Sequence, residues 1–215
     1  MEGNNKYFTV IIGDLVKSRK ITSRQEIAEK LHTVIRDISG QFNDELYAPL
    51  VLTKGMDELS GVLIRPKVSY RICELLNDRL IPYFFRFAIV RGKIDVGVPT
   101  RDARQMDGSA FHEASGLIQN AKKKNLSYCF ELNLKYSQFS EAVTELANLI
   151  HIMKCGWSNH QLDVVRLYEK LQKQELVAEK LDITQQAVSE ALKKAHWREI
   201  KRAEKTIEKI LNYKD

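Results

Sequence analysis

Apolar positions recur with two different periods along this chain, and the change of period divides it. Tyr7 to Asp14 is a short apolar run closed by Gly13-Asp14, the pattern of a buried strand. Behind it Ser23-Arg24-Gln25-Glu26 has capping-box spacing. Ile27, Leu31, Val34, Ile35 and Ile38 then recur at helical intervals until Ser39-Gly40. Residues 50–54 and 59–64 predict a strand pair around a tight Gly-Met-Asp-Glu turn, and Pro66 opens a helix through Val68, Ile72, Leu75, Leu76 and Leu80. The aromatic and β-branched run Tyr83 to Arg91 is the strongest strand signal in the chain. A short extended run from Lys93 to Val98 follows, then a helix started by Asp107-Gly108, a strand over 127–134 and a helix over 140–153.

From residue 7 to 91 the elements run strand, helix, strand, strand, helix, strand. This is the order of the split βαβ, or ferredoxin-like, unit. That topology sets the first two strands parallel with the third between them, so Asp14 and Asp57 are expected at one edge of the sheet.

Beyond Gly156 only the helical period remains, and Gly156-Trp157-Ser158-Asn159 is the expected boundary. The fold class is therefore α+β: an antiparallel, ferredoxin-like sheet with helices over 1–155, then an all-α domain over 156–215. Val177, Leu181, Ile183, Val188 and Leu192 are spaced to pack two short helices across a tight turn. Ala178 is small where they would cross, and Thr184 is a good N-cap for the second. A supporting helix is predicted over 159–172, and one long helix from about Thr184 to Asn212.

Composition changes this picture little. With 215 residues, 44% hydrophobic and 29% charged, the chain has the profile of an ordinary globular protein. Cys73, Cys129 and Cys155 have no metal or redox spacing and predict reduced, mostly buried thiols. No run approaches a membrane span and the N-terminus lacks a secretion pattern, so a cytoplasmic protein without membrane insertion is expected. The formal charge of +6 permits an anionic partner, but residues 157–215 hold 12 basic against 10 acidic side chains, so the excess is not concentrated there.

Candidate chemistry falls at two places. Asp14 and Asp57, two carboxylates on strand ends, suit Mg²⁺ or Mn²⁺ with a phosphate ligand completing the shell. Gly13 would let a phosphate approach the backbone, and Lys17, Ser18, Arg19 and Lys54 would bind and neutralise it. Either aspartate taken alone reads better as a turn residue, and only the pair points to a site. His112, beside Phe111, reads as a partly buried, hydrogen-bonded histidine. In the tail, Gln185, Gln186, Ser189 and Lys193 would face a DNA major groove, with Thr184 at the helix start. Lys194, Arg198, Lys201 and Arg202 would hold phosphates. A helical hairpin used only for packing or dimerisation has the same pattern.

Three resemblances bear on these residues. Ile12-Gly13-Asp14-Leu15-Val16-Lys17-Ser18-Arg19, Asp57-Glu58-Leu59-Ser60-Gly61-Val62-Leu63 and Asp107-Gly108-Ser109-Ala110-Phe111-His112 resemble the signatures of the bacterial SatD family. More distantly, the head is similar to class III nucleotide cyclases and GGDEF domains. That resemblance implies metal binding by Asp14 and Asp57 and places His112 at the cyclase asparagine, making it a nucleotide-binding candidate. Gly116 stands at the transition-state arginine and Met56 where such hairpins have glycine; both departures weigh against catalysis. Residues 174–193 resemble the helix-turn-helix of sigma-factor region 4, with Asp182 at the turn position usually held by Gly. The resulting expectation is a DNA-binding transcriptional regulator, a homodimer, with a nucleotide- or metal-sensing head. The alternatives are a metal-dependent nucleotidyl cyclase or phosphotransferase, and a protein-binding adaptor.

Overall fold

The computed structural model describes residues 7–132 and 138–213. It divides into two compact units, Met1–Thr144 with Glu208–Asp215, and Glu145–Ile207. The chain passes between them inside helices, whereas a boundary at the 156–159 turn was expected.

The first unit is built on a five-stranded sheet. Its strands are Tyr7–Leu15 (β1), Leu46–Leu52 (β2), Glu58–Leu63 (β3), Phe85–Lys93 (β4) and Tyr128–Glu131 (β5), in the order β2-β3-β1-β4-β5. β3 pairs antiparallel with β1 and β2, and β1 antiparallel with β4, so β1 and β2 run the same way with β3 between them. β5 adds to β4 in parallel. Helices Arg24–Gln41 (α1), Ser69–Leu80 (α2) and Ser109–Lys124 (α3) cover the two faces.

The period-2 alternation of β1 assigns those faces. Phe8, Val10 and Ile12 join Ala110, Phe111, Ala114 and Ile118 of α3 in one buried cluster. Gly13 belongs to the other face, opposite Phe87, whose ring stacks on Tyr128 at 5.9 Å. Tyr128 donates its hydroxyl to Glu74 of α2, and Asn77 of the same helix donates to the Tyr128 hydroxyl at 3.0 Å. Burial, then Glu74, pushes the Tyr128 phenol well above its ordinary value, so it stays protonated and keeps donating.

Several local expectations change. Ser23 precedes α1 but makes no side-chain cap, and the helix runs past Gly40 to Gln41. β2 begins four residues earlier than the apolar pattern implies. Pro49 and two register shifts hide it, features an edge strand tolerates because one side needs no ladder partner. The connection to β3 is longer than a tight four-residue turn, with Gly55 in left-handed backbone at φ 58°. β5 ends at Glu131, and residues 133 and 134 of the predicted strand lie outside the described residues.

The second unit is helical. It contains most of Gln138–Cys155 (α4), then Asn159–Leu171 (α5), Gln174–Leu181 (α6), Gln185–Lys194 (α7) and most of Trp197–Leu211 (α8). Ser158 caps α5 with a complete capping box through Gln161. Val164, Val165, Val177, Ala178, Val188, Ala191 and Leu192 form one core, so α5, α6 and α7 are held by contacts local in sequence. The single long helix expected from Thr184 is broken. His196 takes left-handed backbone at φ 52°, which a right-handed helix cannot continue through, and the Trp157 indole N–H donates to the Ala195 carbonyl at 2.9 Å. Among the described residues, no helix is long and apolar enough to cross a membrane. Cys73 and Cys129 are buried and Cys155 is exposed, so the free thiols are mostly buried, as expected.

Candidate functional site

Asp14 and Asp57 do reach the same end of the sheet, because the Leu15 N–H donates to the Asp57 carbonyl at 2.8 Å. Their carboxylates nevertheless find different partners. Asp14 is registered opposite Glu58 on β3 and Arg86 on β4, which places it on the α3 face. There Lys122 of α3 approaches one carboxylate oxygen at 2.7 Å, and Arg86 lies 3.9 Å from the other. Continuing the register sets Asp57 opposite Leu15, so its side chain belongs to the α1–α2 face. Its carboxylate lies 3.7 Å from Arg24 at the start of α1. The neighbour that register gives Asp14 is Glu58, itself bound to Thr53 at 2.9 Å and Lys54 at 2.8 Å. Asp14 and Glu58 are thus accompanied by Lys122, Arg86 and Lys54, so the local charge is not the negative excess a Mg²⁺ site needs. Among the described residues, no group of three or more His, Cys, Asp or Glu side chains is placed to hold a metal.

The phosphate-binding expectations divide in the same way. A Cβ on Gly13 would come within 2.9 Å of the Phe87 ring and 3.0 Å of Leu59, so this glycine makes room for core side chains rather than for a ligand. Gly13→Ala is expected to cost about 1–2 kcal/mol through overpacking, checked by chemical denaturation. Lys17 stands in left-handed backbone before a short 3-10 turn, Ser18–Lys20, and the Ser18 carbonyl accepts from Arg24 at 3.3 Å. Lys17 and Arg19 are exposed, whereas Lys54 is held by Glu58. Met56, at the position where glycine would admit a phosphate, is 7% exposed and fills its space.

His112 corrects two expectations. Its side chain is exposed, 3.4 Å from Asp107, rather than partly buried. It also sits far from Asp14. Gly92, which pairs with Phe8, lies against Ala110, whereas Lys122 meets Asp14 at the other end of β1. The ten helical residues from His112 to Lys122 span about 15 Å. His112 and Asp14 thus lie toward opposite ends of β1.

The chain's signatures extend beyond this head. The model of the SatD family matches residues 7–211. This chain belongs to the SatD family. No curated protein matched in the corresponding search. Among solved structures, one titled as the structure of a bacterial light-regulated adenylyl cyclase is similar over 58% of this chain and 74% of that one, at 12% identity and a TM-score of 0.40.

In the second unit of this SatD-family chain, the tail candidates of α7 are exposed. Asp182 ends α6 in left-handed backbone at φ 52°, the conformation that glycine would otherwise supply. The Thr184 hydroxyl caps α7 by accepting from the Ala187 N–H at 3.1 Å. With Val188, Ala191 and Leu192 buried, helical geometry leaves Gln185, Gln186, Ser189 and Lys193 exposed, and Lys194 and Arg198 are exposed beyond them. Gln185 donates to Glu175 of α6 at 3.3 Å, and Gln186 to Glu190 at 3.4 Å.

Two expected phosphate holders have other partners. Lys201 is clasped by Glu169 and Glu204, and Arg202 lies 3.6 Å from Glu199. Lys122, Arg86 and Glu58 were the residues missed around Asp14. A partial signal existed for Lys122, which falls four residues after Ile118 and so at the border of the buried stripe of α3.

Proposed function

We propose that this SatD-family chain is a DNA-binding regulator in which α6 and α7 act as a helix-turn-helix and α7 enters the major groove. The observation that carries this reading is the division of α7. Its apolar side is locked into the core of α5 and α6, while Gln185, Gln186 and Ser189 stand exposed on its other side. Glutamine pairs bidentately with adenine, so these residues have the chemistry of base readers. Two copies of the chain would present two such helices to paired half-sites.

Fluorescence anisotropy on a randomised duplex pool, followed by selection and sequencing, tests the reading. Binding should weaken steeply with salt, because phosphate contacts release counterions. Gln186→Ala should reduce discrimination at one base position roughly tenfold while leaving the salt dependence intact. Failure to retard any duplex at low salt would favour a protein-binding adaptor.

On this reading the head senses or self-associates rather than catalyses. Support comes from the engagement of Asp14 by Lys122 and Arg86 and from the partition of Asp57 to Arg24. The meeting of Asp14 and Asp57 at one sheet end is what favours a metal-dependent nucleotidyl cyclase or phosphotransferase instead. Incubation of the full chain with nucleoside triphosphates and Mg²⁺ or Mn²⁺, followed by mass analysis, should return unchanged nucleotide. Product formation lost in Asp14→Asn would establish the enzymatic reading.

A further inference from the structure

The cations of α7 and α8 differ in their engagement. Lys201 and Arg202 are occupied by carboxylates. Lys193 and Arg198 are exposed, and among the described residues neither forms an ion pair. These two line one cleft of about 280 Å³ at the α7–α8 junction, together with Ser189, Gln174, Tyr168 and Trp197. The left-handed break at His196 creates this juxtaposition, because an unbroken helix would have carried Arg198 further along the axis from Lys193.

We propose that this cleft is a phosphate-binding site and that its ligand is a phosphodiester of the DNA backbone. The inference rests on the DNA-reading function proposed above and deepens it, by moving Lys193 and Ser189 from base recognition to phosphate recognition. Lys193 and Arg198 supply charge, and the Arg198 guanidinium matches two phosphate oxygens at once. The Ser189 hydroxyl and the Gln174 amide supply neutral donors. Gln174 and Trp197 are the first residues of α6 and α8, so two helix N-termini add a weak field of the same sign. Glu199 also lines the cleft, and Arg202 lies 3.6 Å from it. Tyr168 and Trp197, edge to face at 4.9 Å, form one wall of the cleft.

The test measures duplex affinity of the full chain against salt for the wild type, Lys193→Ala and Arg198→Ala, alongside ³¹P line widths of inorganic phosphate with each protein. Each substitution is expected to flatten the slope of log affinity against log salt by about one and to weaken all duplexes equally. Phosphate broadening seen with the wild type should be lost in both variants. Duplex binding with slopes unchanged in both variants would overturn the cleft while leaving the DNA reading intact. Phosphate broadening lost in the variants, without any duplex binding, would support the cleft as an anion site and remove its DNA source. Absence of both signals would sink the two proposals together.

Discussion

Glu204→Gln is expected to lower unfolding stability by about 3–4 kcal/mol at neutral pH, read from urea midpoints at constant slope. Glu204 is 8% exposed on α8 and receives Lys154 of α4 at 2.8 Å and Lys201 at 2.8 Å, while Lys201 also reaches Glu169 of α5. Three helices of the second unit thus meet at one cluster of two ammonium and two carboxylate groups. Removing one carboxylate leaves an excess positive charge in a poorly hydrated place, and that penalty exceeds the modest net worth of the intact pairs. Burial opposes ionisation of Glu204, but Lys154 and Lys201 outweigh it and hold the carboxyl below its ordinary 4.5. Its contribution is therefore complete above pH 4.5 and is lost as pH falls through the depressed folded value. Lys201 behaves in the opposite sense. Burial lowers its affinity for the proton, Glu204 and Glu169 reverse this, and the net rise means its contribution is lost only as pH climbs beyond 10.5. Wild type and Glu204→Gln should accordingly converge in stability below pH 4.5. Parallel acid limbs for the two proteins would contradict the assignment.

Asp14→Asn has the second large expected effect, a loss of about 2–3 kcal/mol. The Arg86 side chain is 10% exposed and donates through Nε to the Leu126 carbonyl at 2.6 Å, so it cannot swing to solvent when the carboxylate is removed. The figure sits below that for Glu204 because Lys122 is 39% exposed and water can solvate it. The same variant decides what Asp14 is for. With Lys122 in contact, Mg²⁺ or Mn²⁺ titrated into the wild type should leave the melting temperature unchanged at matched ionic strength. A saturable rise, absent from Asp14→Asn, would show that a divalent ion displaces Lys122 and that the metal expectation was sound.

The two carboxylates show where the sequence stopped being informative. That both lie at one end of the sheet follows from element order, which the apolar pattern carries well. Whether they face each other depends on strand register, and a shift of one residue sends a side chain to the opposite face. Register here is set by the packing of Gly13 under Phe87 and Leu59, contacts made across the sheet rather than along the chain. The partner of Asp14 is further away still, since Lys122 lies 108 positions on. No local pattern encodes a pairing at that distance.

The tail was legible for the complementary reason. The core uniting Val164, Val177, Val188 and Leu192 is confined to a short stretch of chain, so helical spacing and cap residues are enough to predict the α6–α7 pair. Even there, the break at His196 is absent from the pattern, because the apolar period runs on through it and only the Trp157 contact with Ala195 marks the end of α7. By itself, then, the sequence determined the order of the elements of the sheet unit, the α6–α7 pair and the polar face of α7, all of which depend on neighbours a few residues apart. Tertiary structure alone decided the register that separates Asp14 from Asp57, the cations that occupy them, and the junction that brings Lys193 to Arg198. Each of these is fixed by a contact that exists only once distant elements have packed.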